Sequence, residues 1–219
     1  TFRPSDPNRH LTELFGEFLD HFGFTGPLHS ARLDVSPTDR EWARSWLQTQ
    51  QVRRPLLGVN PHTTYPSKCW PERHFRAIME RWHQTTGGST LVFHGPGEEQ
   101  NAYRLSKSLP TGLVHVHPPV SLPRLLALLT APDLFLTGDT GPMNLAWALG
   151  TKTVALFGPT TRRAVAPTGD THLILHHETL PCLECHKEVC NDGRCMTDLS
   201  PDYVWSQITQ KYGSLFSLC

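Results

Sequence analysis

Hydrophobic residues recur along the chain with two different periods. Near the N-terminus, apolar side chains at spacings of three and four predict an amphipathic helix over residues 8–22 and a second helix from Pro37 to Gln50. From residue 55 onward, short apolar runs alternate with helical stretches. The predicted strands are Pro55–Asn60, Thr90–His94, Leu113–His117, Leu134–Thr137, Thr153–Phe157 and Leu173–His176. The remaining helices are predicted at Pro71–His83, Glu98–Ser108, Ser121–Leu129, Pro142–Leu149 and Pro201–Leu215.

This alternation is typical of an α/β fold, with a Rossmann-like parallel sheet covered by helices on both faces. Ligands of such sheets bind beyond the carboxyl ends of the strands. The turns after Asn60, His94, Thr137 and Phe157 are therefore expected to share one edge and to form one cleft.

Composition and charge exclude several classes of protein. The chain has 219 residues, of which 38% are hydrophobic, and its 20 basic and 20 acidic side chains give no net formal charge. Bulk charge therefore does not indicate a nucleic-acid partner. No apolar stretch approaches the roughly 20 residues that span a bilayer, and the first residues do not resemble a secretion signal. We expect a cytoplasmic protein.

The segment from Gly138 to Gly150 is the first candidate site. An apolar run leads into a turn with one acid and two glycines, and the turn opens directly into a helix. The free N–H groups of a first helical turn, together with the helix dipole, can hold an anion such as phosphate. The alternative is an ordinary strand-to-helix turn in which Asp139 or Thr140 serves only as the N-cap.

Two other turns on the predicted edge carry polar groups suited to a nucleotide. The turn after Asn60 contains hydroxyls and Lys68, which is either a point charge for a diphosphate or a solvated surface lysine. The turn after His94 ends in Glu98 and Glu99, which either accept hydrogen bonds from a ribose or base, or only interact with a helix dipole.

Asp139 cannot pair with phosphate, so it is expected to accept hydrogen bonds from sugar hydroxyls. The turn after Phe157 adds Thr160 to the same edge. The sequence contains no G-x-G-x-x-G dinucleotide motif, no phosphate loop of P-loop NTPases and no G-x-S-x-G nucleophile elbow. These absences count against dehydrogenases, P-loop NTPases and α/β-hydrolases.

Taken in order, the four turns resemble the C-terminal half of glycosyltransferase family 9, the ADP-heptose-dependent heptosyltransferases of lipopolysaccharide core synthesis and their relatives. The resemblance extends over nearly the whole chain. The motifs that carry it are Lys68-x-Trp70-Pro71, Gly95-x-x-Glu98-Glu99, the segment from Gly138 to Gly150, and Phe157-Gly158-Pro159-Thr160.

The resemblance implies one half of a GT-B glycosyltransferase, in which two Rossmann-like domains close over a cleft. Residues 1–50 would be a linker and helices leading to an N-terminal acceptor-binding domain, residues 51–200 the nucleotide-sugar-binding domain, and residues 201–219 a C-terminal helix. The implied reaction is inverting transfer of heptose from ADP-heptose to a lipid-linked oligosaccharide of the lipopolysaccharide core or to a protein. No catalytic cofactor is expected, and the implied location is the cytoplasm, including the inner face of the inner membrane.

The resemblance also assigns roles to residues. Lys68 would meet the donor phosphates and stabilise the leaving group, and Asp139 would bind the transferred sugar, which makes these two the expected catalytic residues. Glu98 or Glu99 would bind the nucleoside, and Thr140 and Gly141 would offer backbone N–H groups to the diphosphate. The expected nucleotide-sugar-binding residues are Thr63, Thr64, Lys68, Glu98, Glu99, Asp139, Thr140, Gly141, Asn144 and Thr160.

The chain departs from the family pattern in two respects. Asn144 stands where many members have His, and an amide can donate a hydrogen bond but cannot carry a proton. The N-terminal domain is also absent, so we expect this chain alone to bind the donor without turnover. The alternative is a non-catalytic nucleotide-binding or metal-stapled interaction module, and an epimerase-like GT-B relative fits the motif order less well.

Four cysteines crowd the loop over residues 181–196, whereas Cys69 and Cys219 stand apart. Four thiolates in a short loop can form a closed tetrahedral site for structural iron or zinc. Reduced buried thiols and disulfides are the alternatives. Relatives that heptosylate autotransporter adhesins hold iron in a similar loop. The expected ligands are Cys182, Cys185, Cys190 and Cys195.

Overall fold

The computed structural model of the chain describes residues 2–6, 9–24, 26–27, 31–107, 109–110 and 112–216. Three sequence predictions concern residues outside these ranges. They are the start of the first helix at Asn8, the end of another helix at Ser108, and the isolated Cys219.

Six parallel strands form one sheet. They are β1 (Leu57–Asn60), β2 (Thr90–Val92), β3 (Val114–Val116), β4 (Leu134–Gly138), β5 (Thr153–Phe157) and β6 (Leu173–His176). Across the sheet they lie in the order β3-β2-β1-β4-β5-β6. Every predicted strand is present, but the ends at Pro55, His94 and His117 lie outside the ladder. Pro55 has no N–H to donate to a neighbouring strand, and the two histidines stack on one another instead.

Helices connect the strands, and each of the predicted helices is present within the described residues. Two four-residue helices, at Arg162–Val165 and Arg194–Thr197, and the 3-10 turn Pro66–Lys68 were not predicted, because a single turn is too short to show periodicity. The last predicted helix, Pro201–Leu215, is α-helical to Tyr212 and continues as the 3-10 turn Gly213–Phe216. The helices are α1 (Leu11–His21), α2 (Pro37–Thr49), α3 (Glu72–Thr86), α4 (Glu99–Ser106), α5 (Leu122–Leu129), α6 (Gly141–Ala148), α7 (Arg162–Val165), α8 (Arg194–Thr197) and α9 (Pro201–Tyr212).

The core lies in two layers on opposite faces of the sheet. Alternate strand residues point to opposite faces, so Leu57 packs in one layer and Leu56 in the other. The first layer joins the sheet to α3 and α9 through side chains such as Trp82 and Ile208. The second joins it to α2, α5 and α6. Helices therefore cover both faces, which confirms the predicted fold class.

The strand order reverses between β1 and β4, which are neighbours in the sheet although far apart in sequence. The chain leaves these two strands toward opposite sides, and the connections open a crevice at their carboxyl ends. The turn after Asn60 and the turn after Gly138 line this crevice. The fold thus brings the first candidate turns together.

The helix α1 differs from the others because its apolar face is uncovered. Gly16 is its buried residue, and the exposed fractions of Phe15 and Phe22 are 64% and 58%. Its N-terminal end is held by His10, whose Nε2 lies 3.1 Å from the carbonyl oxygen of Ala166. Among the described residues, no helix is long and apolar enough to cross a membrane.

Candidate functional site

A polar cavity of about 160 Å³ lies at the carboxyl edge, over β1 and β4. Three of the four turns that the sequence predicted to share this edge contribute to its walls. The lining residues are Asn60, His62, Thr63, Thr64, Gly95, Glu98, Thr140, Gly141 and Pro142. The prediction of a common cleft is therefore confirmed for these three turns, while the turn after Phe157 lies on the same sheet edge outside the cavity.

Lys68 and Asp139 form an ion pair beside this cavity. The Lys68 Nζ donates to Asp139 Oδ2 over 2.7 Å, and the side chains are only 17% and 11% exposed. The two turns approach closely at Gly138, where an added Cβ would lie 3.2 Å from the Thr63 Cγ2. Lys68 is therefore not a solvated surface lysine. Its ammonium group has three N–H donors, and the contact with Asp139 uses one of them.

A buried network fixes the start of α6. The Asn60 amide donates to the hydroxyls of Thr137 and Thr140 over 3.4 and 3.3 Å. Thr140 is the N-cap, since its hydroxyl accepts a hydrogen bond from the N–H of Met143 over 3.4 Å. The N-cap interpretation thus holds for Thr140, while Asp139 pairs with Lys68.

The cap still leaves donors free for a ligand. Within the described residues, the N–H groups of Thr140 and Gly141 donate no hydrogen bond. Pro142 follows at the second position of the helix and has no N–H. The helix start therefore presents two backbone donors and the positive end of its dipole to the cavity.

A second cavity, of about 310 Å³, adjoins the polar one along Gly95, Gly141 and Pro142. Its other walls are mainly apolar or aromatic. They are His94, Pro96, Glu99, His117, Pro119, Val120, Leu125 and Leu145. Neither histidine had an expected role from the sequence. Their positions at the ends of adjacent strands could have indicated that they meet.

His94 and His117 stack face to face in the wall of this apolar cavity. Their ring centroids lie 4.2 Å apart, with an angle of 8° between the planes. The His117 Nδ1 lies 2.7 Å from the Pro118 carbonyl oxygen, and its Nε2 accepts from the N–H of His94 over 3.3 Å. Burial lowers the pKa of His117 to about 4. The imidazole is therefore neutral at physiological pH and presents its ring rather than a charge.

The structure separates the roles of the two adjacent glutamates. The Glu98 carboxylate accepts a hydrogen bond from the Gly95 N–H over 2.7 Å and stabilises its own turn at the edge of the polar cavity. Glu99 lines the apolar cavity, where the N–H groups of Glu99 and Gly97 hold the pKa of its carboxyl below the usual value. Glu99 is thus the carboxylate available to a ligand in the apolar cavity.

The remaining predicted site residues occupy three kinds of position. Thr63 and Thr64 line the polar cavity, and the Thr63 hydroxyl donates to the Tyr65 carbonyl over 2.8 Å. The Thr160 hydroxyl is buried without a hydrogen-bond partner among the described residues. Asn144 is exposed on α6 and lines neither cavity. The structure therefore does not bring Asn144 together with the other candidates.

The cysteine loop does not form a metal centre as the structure arranges it. Within the described ranges, no group of three or more His, Cys, Asp or Glu side chains could hold a metal ion. Cys182 is exposed, whereas Cys195 is buried, and burial raises the pKa of the Cys195 thiol to about 11. The nearby thiols of the loop raise the pKa of Cys195 further. The described cysteines are free thiols, so they form no disulfide.

The family model described as glycosyltransferase family 9 (heptosyltransferase) matches residues 8–195. Lipooligosaccharide heptosyltransferase 2 of Campylobacter jejuni is 30% identical over 159 residues, which are 69% of this chain and 49% of that protein. Lipopolysaccharide heptosyltransferase 1 of Pseudomonas aeruginosa is 31% identical over 212 residues, or 90% of this chain and 56% of that protein. The chain thus spans about half the length of the curated relatives it matches.

Solved structures share the fold. A family 9 glycosyltransferase from Veillonella parvula aligns over 99% of this chain and 62% of its own, with a TM-score of 0.79 and 20% identity. The Escherichia coli heptosyltransferase WaaC with ADP-2-deoxy-2-fluoro heptose has a TM-score of 0.60 and 21% identity, over 89% of this chain and 53% of its own. The iron-containing dodecameric glycosyltransferase TibC from enterotoxigenic E. coli has a TM-score of 0.57 and 16% identity, over 89% and 52%.

Proposed function

The chain belongs to glycosyltransferase family 9, and on that premise we propose that it is the donor-binding half of an inverting heptosyltransferase that uses ADP-heptose. The observation that carries the proposal is the partly buried ion pair of Lys68 and Asp139 beside the free N–H groups of Thr140 and Gly141. A cation and two backbone donors at a helix start suit a diphosphate. The adjoining apolar cavity suits the nucleoside.

The proposed chemistry depends on where negative charge develops during the reaction. When the bond between the sugar and the diphosphate breaks, the leaving diphosphate gains charge on its oxygen. Lys68 has two N–H donors beyond the one given to Asp139, and the helix start adds two more. These groups are already oriented by the Asn60 network, so they stabilise the leaving group at little cost in reorganisation.

Asp139 has a different part in the proposal. Its Oδ2 accepts the hydrogen bond from Lys68, while its other oxygen is available to hydroxyl groups of the transferred sugar. The pair is also neutral overall, which reduces the cost of burying the ammonium group before the donor arrives. Asp139 would thus both orient Lys68 and hold the sugar.

The nucleoside would occupy the apolar cavity. The stacked rings of His94 and His117 offer a flat wall to a base, and Glu99 supplies an acceptor for N–H or O–H groups of the base or ribose. E. coli WaaC, whose solved structure has this fold, is described with an ADP-linked fluoroheptose. This supports ADP-heptose as the donor of this chain.

Ligand-induced stabilisation tests the proposal. ADP should raise the melting temperature of the chain, and ADP-heptose should raise it further, because a ligand that binds only the folded state stabilises it. In the Asp139→Ala variant, the difference between ADP and ADP-heptose should disappear. The absence of any shift with millimolar ADP, GDP or UDP would refute the proposal.

The acceptor-binding half would lie in another part of the full protein. The chain spans about half the length of its relatives, and the apolar face of α1, formed by Leu11, Phe15, Phe18, Leu19 and Phe22, is exposed. An isolated amphipathic helix of 11 residues has little stability of its own, so this face is expected to be covered. We assign it to the acceptor-binding half, with a lipopolysaccharide-core or protein acceptor, at the cytoplasmic side of the membrane.

Recombination of the two halves tests this assignment. The separately purified acceptor-binding half should restore heptose transfer, and Phe15→Glu together with Phe22→Glu should weaken the complex without changing ADP binding. Failure to restore transfer would favour a non-catalytic nucleotide-binding module. A dimer of this chain in sedimentation experiments that dissociates in the double variant would assign the face to a second copy instead.

A structural iron or zinc at the cysteine loop remains a separate proposal. It rests on the four cysteines of the sequence, because their side chains do not fit a metal site as arranged. Metal analysis of the purified chain tests it. About one iron or zinc per chain would support the proposal, whereas a purified chain without bound metal, with all six cysteines titrating as thiols after unfolding, would contradict it.

A further inference from the structure

The cysteine loop contacts the turn after β5 through two strained backbone positions. The N–H of Glu184 donates to the Gly158 carbonyl over 3.3 Å, and the N–H of His186 donates to the Pro159 carbonyl over 2.7 Å. Both donors have left-handed backbone conformations, with φ of 59° and 55°. Side chains other than glycine adopt this region only at a cost, so the contacts depend on an unusual local conformation.

Side chains reinforce the same contact. The Arg162 guanidinium lies 2.8 Å from the Glu184 carboxylate, and the Thr161 hydroxyl lies 2.8 Å from the His186 Nε2. The loop then ends in α8, which packs directly on the turn. A Cβ added at Gly158 would lie 2.6 Å from the Met196 sulfur.

The loop also contacts the turn after β1, at the residue before Lys68. Ser67 is buried, and its hydroxyl donates to the Lys187 carbonyl over 2.5 Å. The Ser67 N–H donates to the Glu188 carbonyl over 3.2 Å. Ser67 is the central residue of the 3-10 turn Pro66–Lys68, so these two bonds fix the backbone from which the Lys68 side chain extends.

The loop therefore joins two turns that are about ninety residues apart in sequence. Within the described ranges, no hydrogen bond connects the Pro66–Lys68 turn directly to the residues 158–162. One turn carries Lys68, and the other carries the buried Thr160 hydroxyl that lacks a partner. Residues 184–188 are the element that both turns share.

We propose that residues 184–188 are a brace that positions the Lys68 turn and the Thr160 turn for the donor diphosphate. The proposal rests on the donor-binding function above and adds a positioning role for Ser67. The brace is made by backbone groups, by the Ser67 hydroxyl and by the side chains of Glu184 and His186. None of these contacts uses a thiol, so the brace acts whether or not the thiols of the loop bind a metal. Residues 184–188 line neither cavity, and they reach the site through the backbone next to Lys68. The brace should therefore affect binding of the phosphates rather than of the nucleoside.

Two variants test the two ends of the brace. Ser67→Ala removes the hydroxyl bond to Lys187 and should weaken ADP binding about fivefold, as expected for the loss of one buried hydrogen bond. Gly158→Ala forces α8 away from the other turn and should weaken ADP binding about tenfold. Adenosine binding, followed by NMR titration, should stay unchanged in both variants, since adenosine lacks the phosphates.

Val189→Ser provides the matched control. Val189 lies in the same loop and is 69% exposed, so its replacement should change neither affinity. Unchanged ADP affinity in both brace variants would overturn the proposal. A parallel loss of ADP and adenosine affinity would also overturn it, since general destabilisation affects both ligands. If the unaltered chain binds no ADP, it is the donor-binding function that fails instead.

Discussion

The two cavities at the carboxyl edge share one wall, but one lies beside charged side chains and the other is lined mainly by neutral ones. The polar cavity lies beside the ion pair of Lys68 and Asp139. It is lined by Thr140 and Gly141, whose backbone N–H groups donate no hydrogen bond within the described residues. The apolar cavity is walled by two stacked imidazoles, one of which burial keeps neutral. Because the two cavities share Gly95, Gly141 and Pro142, a ligand with a charged centre and a flat end would match both at once.

Filling the apolar cavity should cause the largest loss of ligand affinity. Val120→Trp places a large ring in the cavity, so it should reduce adenosine and ADP affinity by more than about 50-fold, because the occupied space cannot relax without displacing core side chains. Isothermal titration calorimetry measures both affinities. Pyrophosphate, which needs only the polar cavity, should bind as it does to the unaltered chain.

Leu122→Trp is the control for this variant. Leu122 lies two residues further along, is 57% exposed and lines neither cavity, so the same side chain there should leave adenosine affinity unchanged. Equal loss in both variants would indicate damage to α5 rather than occupation of a site. Equal loss of pyrophosphate and adenosine binding in Val120→Trp would show that the two cavities are not separate subsites.

Removing the ammonium group of Lys68 should cause the next largest loss of affinity. It should weaken the binding of ADP and leave the binding of adenosine unchanged. Lys68→Ala deletes the charged hydrogen bond to Asp139 and leaves this carboxylate without its cation at the proposed diphosphate site. We expect ADP affinity to fall by about 2 kcal/mol, or roughly 30-fold, and adenosine affinity to stay unchanged. Lys107→Ala, at an exposed position, removes the same charge and should have little effect. Unchanged ADP affinity in Lys68→Ala would remove Lys68 from the site.

The sequence was sufficient to predict the sheet and the edge that carries the site, but not the contacts between the turns. Strand ends and apolar runs were sufficient to predict the sheet, and motif order placed Lys68 and Asp139 on one edge. Their direct contact, and the choice between Glu98 and Glu99, depend on how two distant turns fold against each other. The brace arises from contacts over long sequence distances, which local periodicity does not encode.

The pH dependence of stability tests whether His117, in the wall of the apolar cavity, is neutral. The pKa of His117 is about 4 in the folded chain and 6.5 in the unfolded one, so the unfolded chain binds a proton first as the pH falls. The free energy of unfolding should therefore drop by about 1 kcal/mol between pH 7 and pH 5.5 through this residue alone. Urea unfolding at both pH values measures it.

His117→Asn isolates this contribution, because burial also lowers the pKa of His62, His74, His115 and His172. The variant removes one titrating group and keeps a side-chain N–H for the Pro118 carbonyl. Its stability should fall less between the two pH values than that of the unaltered chain. An equal change in the free energy of unfolding between the two pH values in both proteins would show that His117 is not held neutral.

The smallest effect should come from the Thr160 hydroxyl, which is buried without a partner among the described residues. Thr160→Val keeps the shape of the side chain and removes the hydroxyl, so the free energy of unfolding should stay equal or rise, because no hydrogen bond within the protein is lost. ADP affinity should nevertheless fall about threefold if the hydroxyl donates to the diphosphate. Calorimetry and urea unfolding together measure the two changes. If stability and ADP affinity both fall, the hydroxyl stabilises the fold and has no separate role in binding. If ADP affinity falls while stability stays equal or rises, the hydroxyl contributes with Lys68 to binding of the diphosphate.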